Sequence, residues 1–264
     1  VEVPLLGGTA NRGQVHRVGD TVRRPLRATS TATHALLRHL EEVGFEGAPR
    51  VLGVDDTGRE VLSYVPGHAV TAPAPAWGLT DDALRSVGQL LRRFHDATAA
   101  FDPAPYHWSH PAPAPFDGRG IAHNDPNLDN VVFRAGRAVA LIDFDLAAPG
   151  SPVWDVAAAA RLWAPLRDPA DTTDVRHGRE LERTRILLDA YGLDAPGRAA
   201  FVQALRDSHA WMMGIVRDGA AHGVPGFAAY WTPEAVARQE RARAWFDRNA
   251  DALHDALHEP LRAP

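Results

Sequence analysis

The chain has 264 residues, enough for one large domain or two smaller ones sharing a cleft. An apolar content of 45% and a charged content of 23% are those of a globular protein, and a net charge of −5 argues against nucleic acid as the main partner. Cysteine is absent, which excludes disulfides, thiolate catalysis and cysteine-ligated zinc. All 28 basic residues are arginine, so a permanent cation in any site must be a guanidinium. No apolar run reaches the roughly 18 residues of a membrane-spanning helix, and no basic segment followed by an apolar one opens the sequence. No membrane partner is expected, and the expected location is cytoplasmic.

Residues 1–6 (VEVPLL) and 14–18 (QVHRV) are strand-like and flank GGTANRG (7–13), a glycine-rich connection of hairpin type. Gly19 and Asp20 turn the chain into TVRRP (21–25), where Pro25 ends the strand or marks a sheet edge. Ser30 or Thr31 is placed to cap a helix whose stripe is Leu36, Leu37, Leu40 and Val43, with Gly44 as its stop. RVLGV (50–54) and REVLSYV (59–65) form a further hairpin about DDTG (55–58). PGHAVTAPAPAWG (66–78) reads as a connector, which divides the chain into 1–66 and 67–264.

After the connector the pattern is mostly helical. Thr80 is placed to cap a long helix with an apolar stripe of Leu84, Val87, Leu90, Leu91 and Phe94. A Pro-rich loop (102–115) follows, and helical patterns recur at 152–164, 178–191, 196–218 and 233–257. The tryptophans at 154, 163, 211, 231 and 245 are expected in the core, with one or two lining a substrate cleft.

The chemistry concentrates in IAHNDPNLDNVVF (121–133) and LIDFD (141–145). VVF (131–133) and AVALI (138–142) are strand-like about the turn RAG (134–136), so the hairpin returns Asp143 to the side of Asn130. Asp125, Asn130 and Asp143 then converge at one end of the hairpin. Two carboxylates and an amide oxygen suit Mg²⁺, which completes its shell with phosphate and water. Phosphoryl transfer needs little more: one carboxylate for the attacking hydroxyl, an amide and a second carboxylate for the metal.

The spacing H-x-D-x-x-x-x-N, followed by an Asp at the end of a hairpin, is that of a kinase catalytic loop. With VLSYVPG, LLRRFHDAT and PGSPVWDVA, the sequence resembles the aminoglycoside phosphotransferase/choline kinase family over most of residues 5–165. The resemblance implies an α+β, bilobal protein-kinase-like fold: a small antiparallel-sheet lobe, a larger helical lobe and a nucleotide between them. It implies Asp125 as the catalytic carboxylate and Asn130 and Asp143 as Mg²⁺ ligands. His123 and Asp155 become braces of the loop. The main chain of Ser63, Tyr64 and Val65 is expected to meet the purine of ATP or GTP, and Gly7 and Gly8 to cover the phosphates. The acceptor would be a hydroxyl of a small molecule, an aminoglycoside-like antibiotic being one candidate. For such a polycation DPADTTD (168–174) offers an acidic patch.

Two departures stand out. The family's strand lysine has no counterpart; Arg23 is its first positional replacement and Arg24 the next. Where the glutamate paired to that lysine would stand, the chain has Thr33 and His34. These departures keep open a kinase-like protein that binds a nucleotide or metabolite without transferring phosphate. A metal-dependent phosphohydrolase could use the same oxygen ligands.

Overall fold

Alternating segments of the first 65 residues pair into one antiparallel sheet. The computed structural model describes residues 2–5, 13–118 and 120–258. The strands are β1 (Glu2–Pro4), β2 (His16–Val18), β3 (Thr21–Pro25), β4 (Val51–Val54) and β5 (Arg59–Ser63), in the spatial order β1-β2-β3-β5-β4. Between β3 and β4 runs α1 (Ser30–Glu42), whose Leu36, Leu37 and Leu40 are fully buried. Neither Ser30 nor Thr31 is the cap: the helix already begins at Ser30, Thr29 stands at the cap position without a side-chain bond, and the Ser30 hydroxyl accepts the N–H of Arg27. Val43 falls outside the buried stripe at 50% exposure, and Phe45, beyond the Gly44 turn, fills the core in its place.

The register of β3 against β5 decides which arginine faces inward. Val22 lies opposite Leu62 and Arg24 opposite Glu60, while the intervening Arg23 lies opposite Val61. Successive side chains of a strand point to opposite faces. Arg24 and Glu60 are therefore buried together, and Arg23 turns away to pair with Asp55 at 3.3 Å.

The supposed connector is structured. Its β6 (His68–Ala69) joins β8 (Val131–Arg134) and β9 (Arg137–Leu141) in a second sheet of order β6-β8-β9. Gly67 makes this possible: its φ is +148°, and a Cβ there would stand 2.5 Å from Cγ1 of Val132. Ala135 and Gly136, both at positive φ, close the β8–β9 hairpin in the manner of a two-residue primed turn. A last pair, β7 (Ile121–Ala122) with β10 (Ala148–Pro149), clamps the ends of the segment holding Asp125, Asn130 and Asp143.

The helices of the larger lobe are α2 (Asp81–Thr98), α3 (Pro152–Trp163), α4 (Glu180–Tyr191), α5 (Ala195–Ala221), α6 (Pro225–Tyr230) and α7 (Pro233–His258). Thr80 caps α2, its hydroxyl accepting the Ala83 N–H at 3.2 Å, and Leu84, Val87, Leu90, Leu91 and Phe94 are all fully buried. α6 is too short to show a helical period in sequence. Trp154 and Trp163 are fully enclosed, and Trp211 meets Trp154 edge-on at 5.7 Å. Among the described residues no helix is long and apolar enough to cross a membrane.

Candidate active site

Asp155, in the first turn of α3, organises the loop that carries Asp125. Its carboxylate accepts the main-chain N–H groups of His123 and Asn124, each at 2.8 Å, and the Nε2–H of His95 at 3.0 Å. Nδ1 of the same ring lies 2.8 Å from the Tyr191 hydroxyl. Burial pushes the Asp155 carboxyl up, but the hydrogen bond from His95 and the nearby His95 and His123 rings outweigh it. The group is held below the usual carboxylate range. Asn124 has φ 67°, a left-handed conformation. Its side chain donates to Leu146 O and accepts Trp154 Nε1–H, at 2.8 and 2.9 Å, and Trp163 Nε1–H reaches Pro126 O at 2.9 Å.

The hairpin does what its spacing suggests. Ile142 N–H donates to Asn130 O at 2.9 Å, which sets Asp143 beside Asn130. Asp143 itself is left-handed, with φ 61° and ψ 70°, a conformation that costs a non-glycine residue of order 1 kcal/mol or more and concentrates at functional sites. His123 braces the turn from below: its ring meets Ile142 O at 3.0 Å and stands 4.7 Å edge-on from Phe144.

Asn130 donates its Nδ2–H groups to Asp125 O and Oδ2 at 2.9 and 3.0 Å, which turns its Oδ1 to the opposite side of the amide. Burial and the charge of Asp143 push the Asp125 carboxyl up to about 7, against the pull of Arg161 and the Asn130 hydrogen bond. Burial and Asp145 likewise raise Asp143, opposed by Arg24 and Arg27.

No group of three or more His, Cys, Asp or Glu with metal-binding geometry exists among the described residues. A cation here would have to draw most of its ligands from phosphate and water, which is the habit of Mg²⁺. One carboxylate and one amide oxygen, in a cluster where Glu60, Asp143 and Asp145 surround Arg24 and Arg27, fit that requirement.

Two cavities meet at these residues. The smaller, about 250 Å³, lies under the sheet and is lined by Val22, Arg24, Leu62, Ser63, Tyr64 and Val65. The larger, about 650 Å³, opens in the helical lobe and includes Asp125. Asn130 and Asp143 line both. In the smaller cavity the main chain is already partly used: Ser63 N–H donates to Arg50 O at 2.9 Å and Tyr64 N–H to Asp20 O at 2.8 Å. Val65 is thus the residue of the three whose N–H is left for a ligand. Gly7 and Gly8 lie outside the described residues.

Arg23, the first expected stand-in for the lysine, faces away from the cavities, because strand alternation sends it to Asp55. Arg24 takes the inward position. Its Nε donates to Glu60 at 2.7 Å, one terminal nitrogen to Asp143 at 2.9 Å and the other to Asp145 at 2.8 Å. The helix glutamate that the chain lacks has a substitute from elsewhere: Glu60 on β5 pairs with Arg24, and His34 of α1 reaches Glu60 at 2.6 Å. Val22 carried the signal for Arg24, since an apolar residue two positions away on a strand shares its face.

The larger cavity departs from expectation in its charge. Asp168, Asp171 and Asp174 of the acidic patch are paired with Arg248, Arg241 and Arg176 at 3.5, 2.5 and 2.7 Å. Its aromatic surface comes from Phe227 and Tyr230 rather than from a tryptophan, and Arg161, Arg167 and Arg238 lie in its wall.

The family model of APH, the phosphotransferase enzyme family, matches residues 108–191, which contain Asp125, Asn130, Asp143 and Asp155. The trifolitoxin immunity protein of Rhizobium leguminosarum bv. trifolii is 35% identical over 97% of this chain and 98% of its own. A choline/ethanolamine kinase family protein from Mesorhizobium loti superposes with a TM-score of 0.59 at 19% identity, covering 91% of this chain and 89% of the other. The GDP complex of wild-type aminoglycoside 2'-phosphotransferase-IIIa does so with a TM-score of 0.59 at 14% identity, covering 94% and 93%. The protein has the bilobal kinase-like α+β fold, and the chain belongs to the APH phosphotransferase enzyme family.

Proposed function

We propose that the protein is a Mg²⁺-dependent kinase that moves the γ-phosphate of ATP or GTP to a hydroxyl of a small molecule. The nucleotide lies between a lobe of residues 1–66 and a lobe of residues 67–264, its base against Val65 N–H and the neighbouring carbonyls of Ser63 and Tyr64. One arrangement carries the reading: Asn130 and Asp143 border both cavities, while Asp125 borders only the larger. Phosphate and hydroxyl would therefore meet at Asp125.

Bound at Asp143 and Asn130, Mg²⁺ would neutralise charge on the transferring phosphate. The Asp125 carboxylate takes the acceptor proton as the new O–P bond forms and the bond from phosphorus to the leaving diphosphate breaks. Asn130 orients that carboxylate through Nδ2. Arg24 keeps Asp143 in place and retains further N–H groups for phosphate. Arg23 has no part in this. Neither nucleic acid nor a membrane has a place in the reaction, and a cytoplasmic location suits its nucleotide supply.

The acceptor class implied by the family resemblance is an aminoglycoside-like antibiotic. A relative named for immunity to trifolitoxin suits an acceptor that is toxic until phosphorylated. The direct Arg24–Asp143 pair supports a second reading, a binding protein without transfer, because it occupies one oxygen of the metal carboxylate.

Calorimetric titration of ATP and GTP with and without Mg²⁺, joined to ³¹P NMR over a panel of hydroxyl compounds, separates the readings. The kinase predicts Mg²⁺-dependent binding and a phosphate ester on the acceptor. Metal-independent binding without transfer would replace it with the binding protein, and phosphate release without acceptor with a hydrolase.

A further inference from the structure

The acceptor cavity is electrically divided. Its acids, Asp125, Asp129, Asp143 and Asp145, lie at the end shared with or next to the nucleotide cleft. There Arg24 and Arg27 already pair with Asp143 and Asp145. The remainder of the wall holds Arg161 from α3, Arg167 from the loop after it and Arg238 from α7. Between them lies apolar surface from residues such as Leu166, Met212, Val216 and Phe227.

These three arginines differ from most others in the helical lobe. Arg176, Arg179, Arg183, Arg241 and Arg248 each hold an aspartate. Among the described residues Arg161, Arg167 and Arg238 have no carboxylate within ion-pair distance, and Nε of Arg161 is buried with no hydrogen-bond partner. Arg238 reaches the Tyr230 hydroxyl at 3.4 Å and stands 5.9 Å from the centroid of its ring. Asp168, Asp171 and Asp174, close in sequence to Arg167, are committed to other arginines.

An unpaired guanidinium set into protein costs free energy unless an anion reaches it. Burial pulls both Arg161 and Arg167 below the usual arginine value; repulsion from Arg167 adds to this at Arg161 against the opposing charge of Asp125, and repulsion from Arg176 and Arg238 adds to it at Arg167. A polycation would add to that repulsion. An oxyacid would relieve it, because a carboxylate accepts two parallel N–H bonds from a guanidinium fork.

We propose that the acceptor is an organic acid: a hydroxyl compound with an apolar body and a carboxylate, its hydroxyl at Asp125 and its carboxylate held by Arg161 with Arg167 and Arg238. The inference rests on the transferase reading for the hydroxyl, and on the arginine-lined wall for the acid. A cavity of about 650 Å³ accommodates a molecule of drug size.

The test uses three probes that share one body: N-hexanoylserine, its carboxamide, and the amine in which an aminomethyl group replaces the carboxylate. Their affinities for the whole protein are measured by calorimetry beside that of gentamicin, a polycationic amino sugar. The acid should bind about tenfold or more tighter than the amide, with the amine weaker still. Arg161→Met combined with Arg238→Met should abolish the preference while Mg²⁺–nucleotide binding and the melting temperature hold. Equal affinity of acid and amide, no binding of the acid, or tighter binding of the amine or gentamicin would overturn the inference. If the acid is preferred but no Mg²⁺–ATP or Mg²⁺–GTP condition phosphorylates it or any acceptor, the transferase reading fails and the charge assignment stands. Transfer confined to amine-bearing acceptors would do the reverse.

Discussion

Asp125→Ala is expected to lower phosphate transfer by about two to four orders of magnitude, the contribution of a positioned general base. Nucleotide binding should survive, because Asp125 borders the larger cavity and not the smaller. Stability should hold or rise. The Asp125 carboxyl is pushed from 3.8 up to about 7 by burial and by Asp143. A carboxyl raised in the folded state destabilises the fold once pH passes its unfolded value, and the penalty is fully present above the folded one. Removing the group removes that penalty. Stopped-assay turnover and a melting curve at pH 8 check both halves: activity collapses while the melting temperature does not fall. Asp125→Asn should behave alike, since an amide cannot take the acceptor proton. Near-normal turnover in either variant would end the assignment of Asp125.

Asp155→Ala should act in the opposite way, on the fold first. It strips acceptors from the N–H groups of His123 and Asn124 and from His95 Nε2, all buried. Removing one partner of a buried charged network costs about 3–5 kcal/mol, a large part of the 5–15 kcal/mol typical of a domain. Denaturant melts should show that loss, with turnover falling because the loop bearing Asp125 loses its anchor. Asp155→Asn is the sharper probe. Once its amide oxygen accepts two of the three donors, its NH₂ must face the third. Because the folded carboxyl is depressed below its ordinary 3.8, the wild-type advantage is present above that pH and lost as pH falls through the folded value. The two proteins should therefore converge in stability in acid. A variant as stable as wild type at pH 7 would show that Asp155 is not the anchor.

Local spacing made the hairpin legible. Asp125, Asn130 and Asp143 lie within one supersecondary unit, so the turn at Ala135–Gly136 alone brings Asp143 back to Asn130. The stripe of α2 was readable for the same reason. Arg24 was harder, because TVRRP places two arginines side by side and the choice depends on parity. Val22 marks the inward face, but Glu60, its decisive partner, belongs to a strand 36 residues away in sequence. The basic wall of the larger cavity could not be read at all. Arg161 sits in an Ala-rich helix that looks like core, and its meeting with Arg167 and Arg238 depends on how α7 packs. The apparent acidity of DPADTTD misled for the matching reason: its neutralising arginines at 241 and 248 come from α7. Asn124 showed nothing in sequence beyond a polar residue, although its left-handed backbone and three side-chain and main-chain bonds hold the loop.

The proposed mechanism makes Asp143 the residue on which Mg²⁺-dependent nucleotide binding would rest, and this is open to direct measurement without knowledge of the acceptor. ATP and GTP are titrated into wild type, Asp125→Ala and Asp143→Asn, each with Mg²⁺ and with EDTA. Wild type and Asp125→Ala should show the same gain in affinity from Mg²⁺, about tenfold or more. In Asp143→Asn that gain should collapse toward none. An undiminished Mg²⁺ effect in Asp143→Asn would contradict the account.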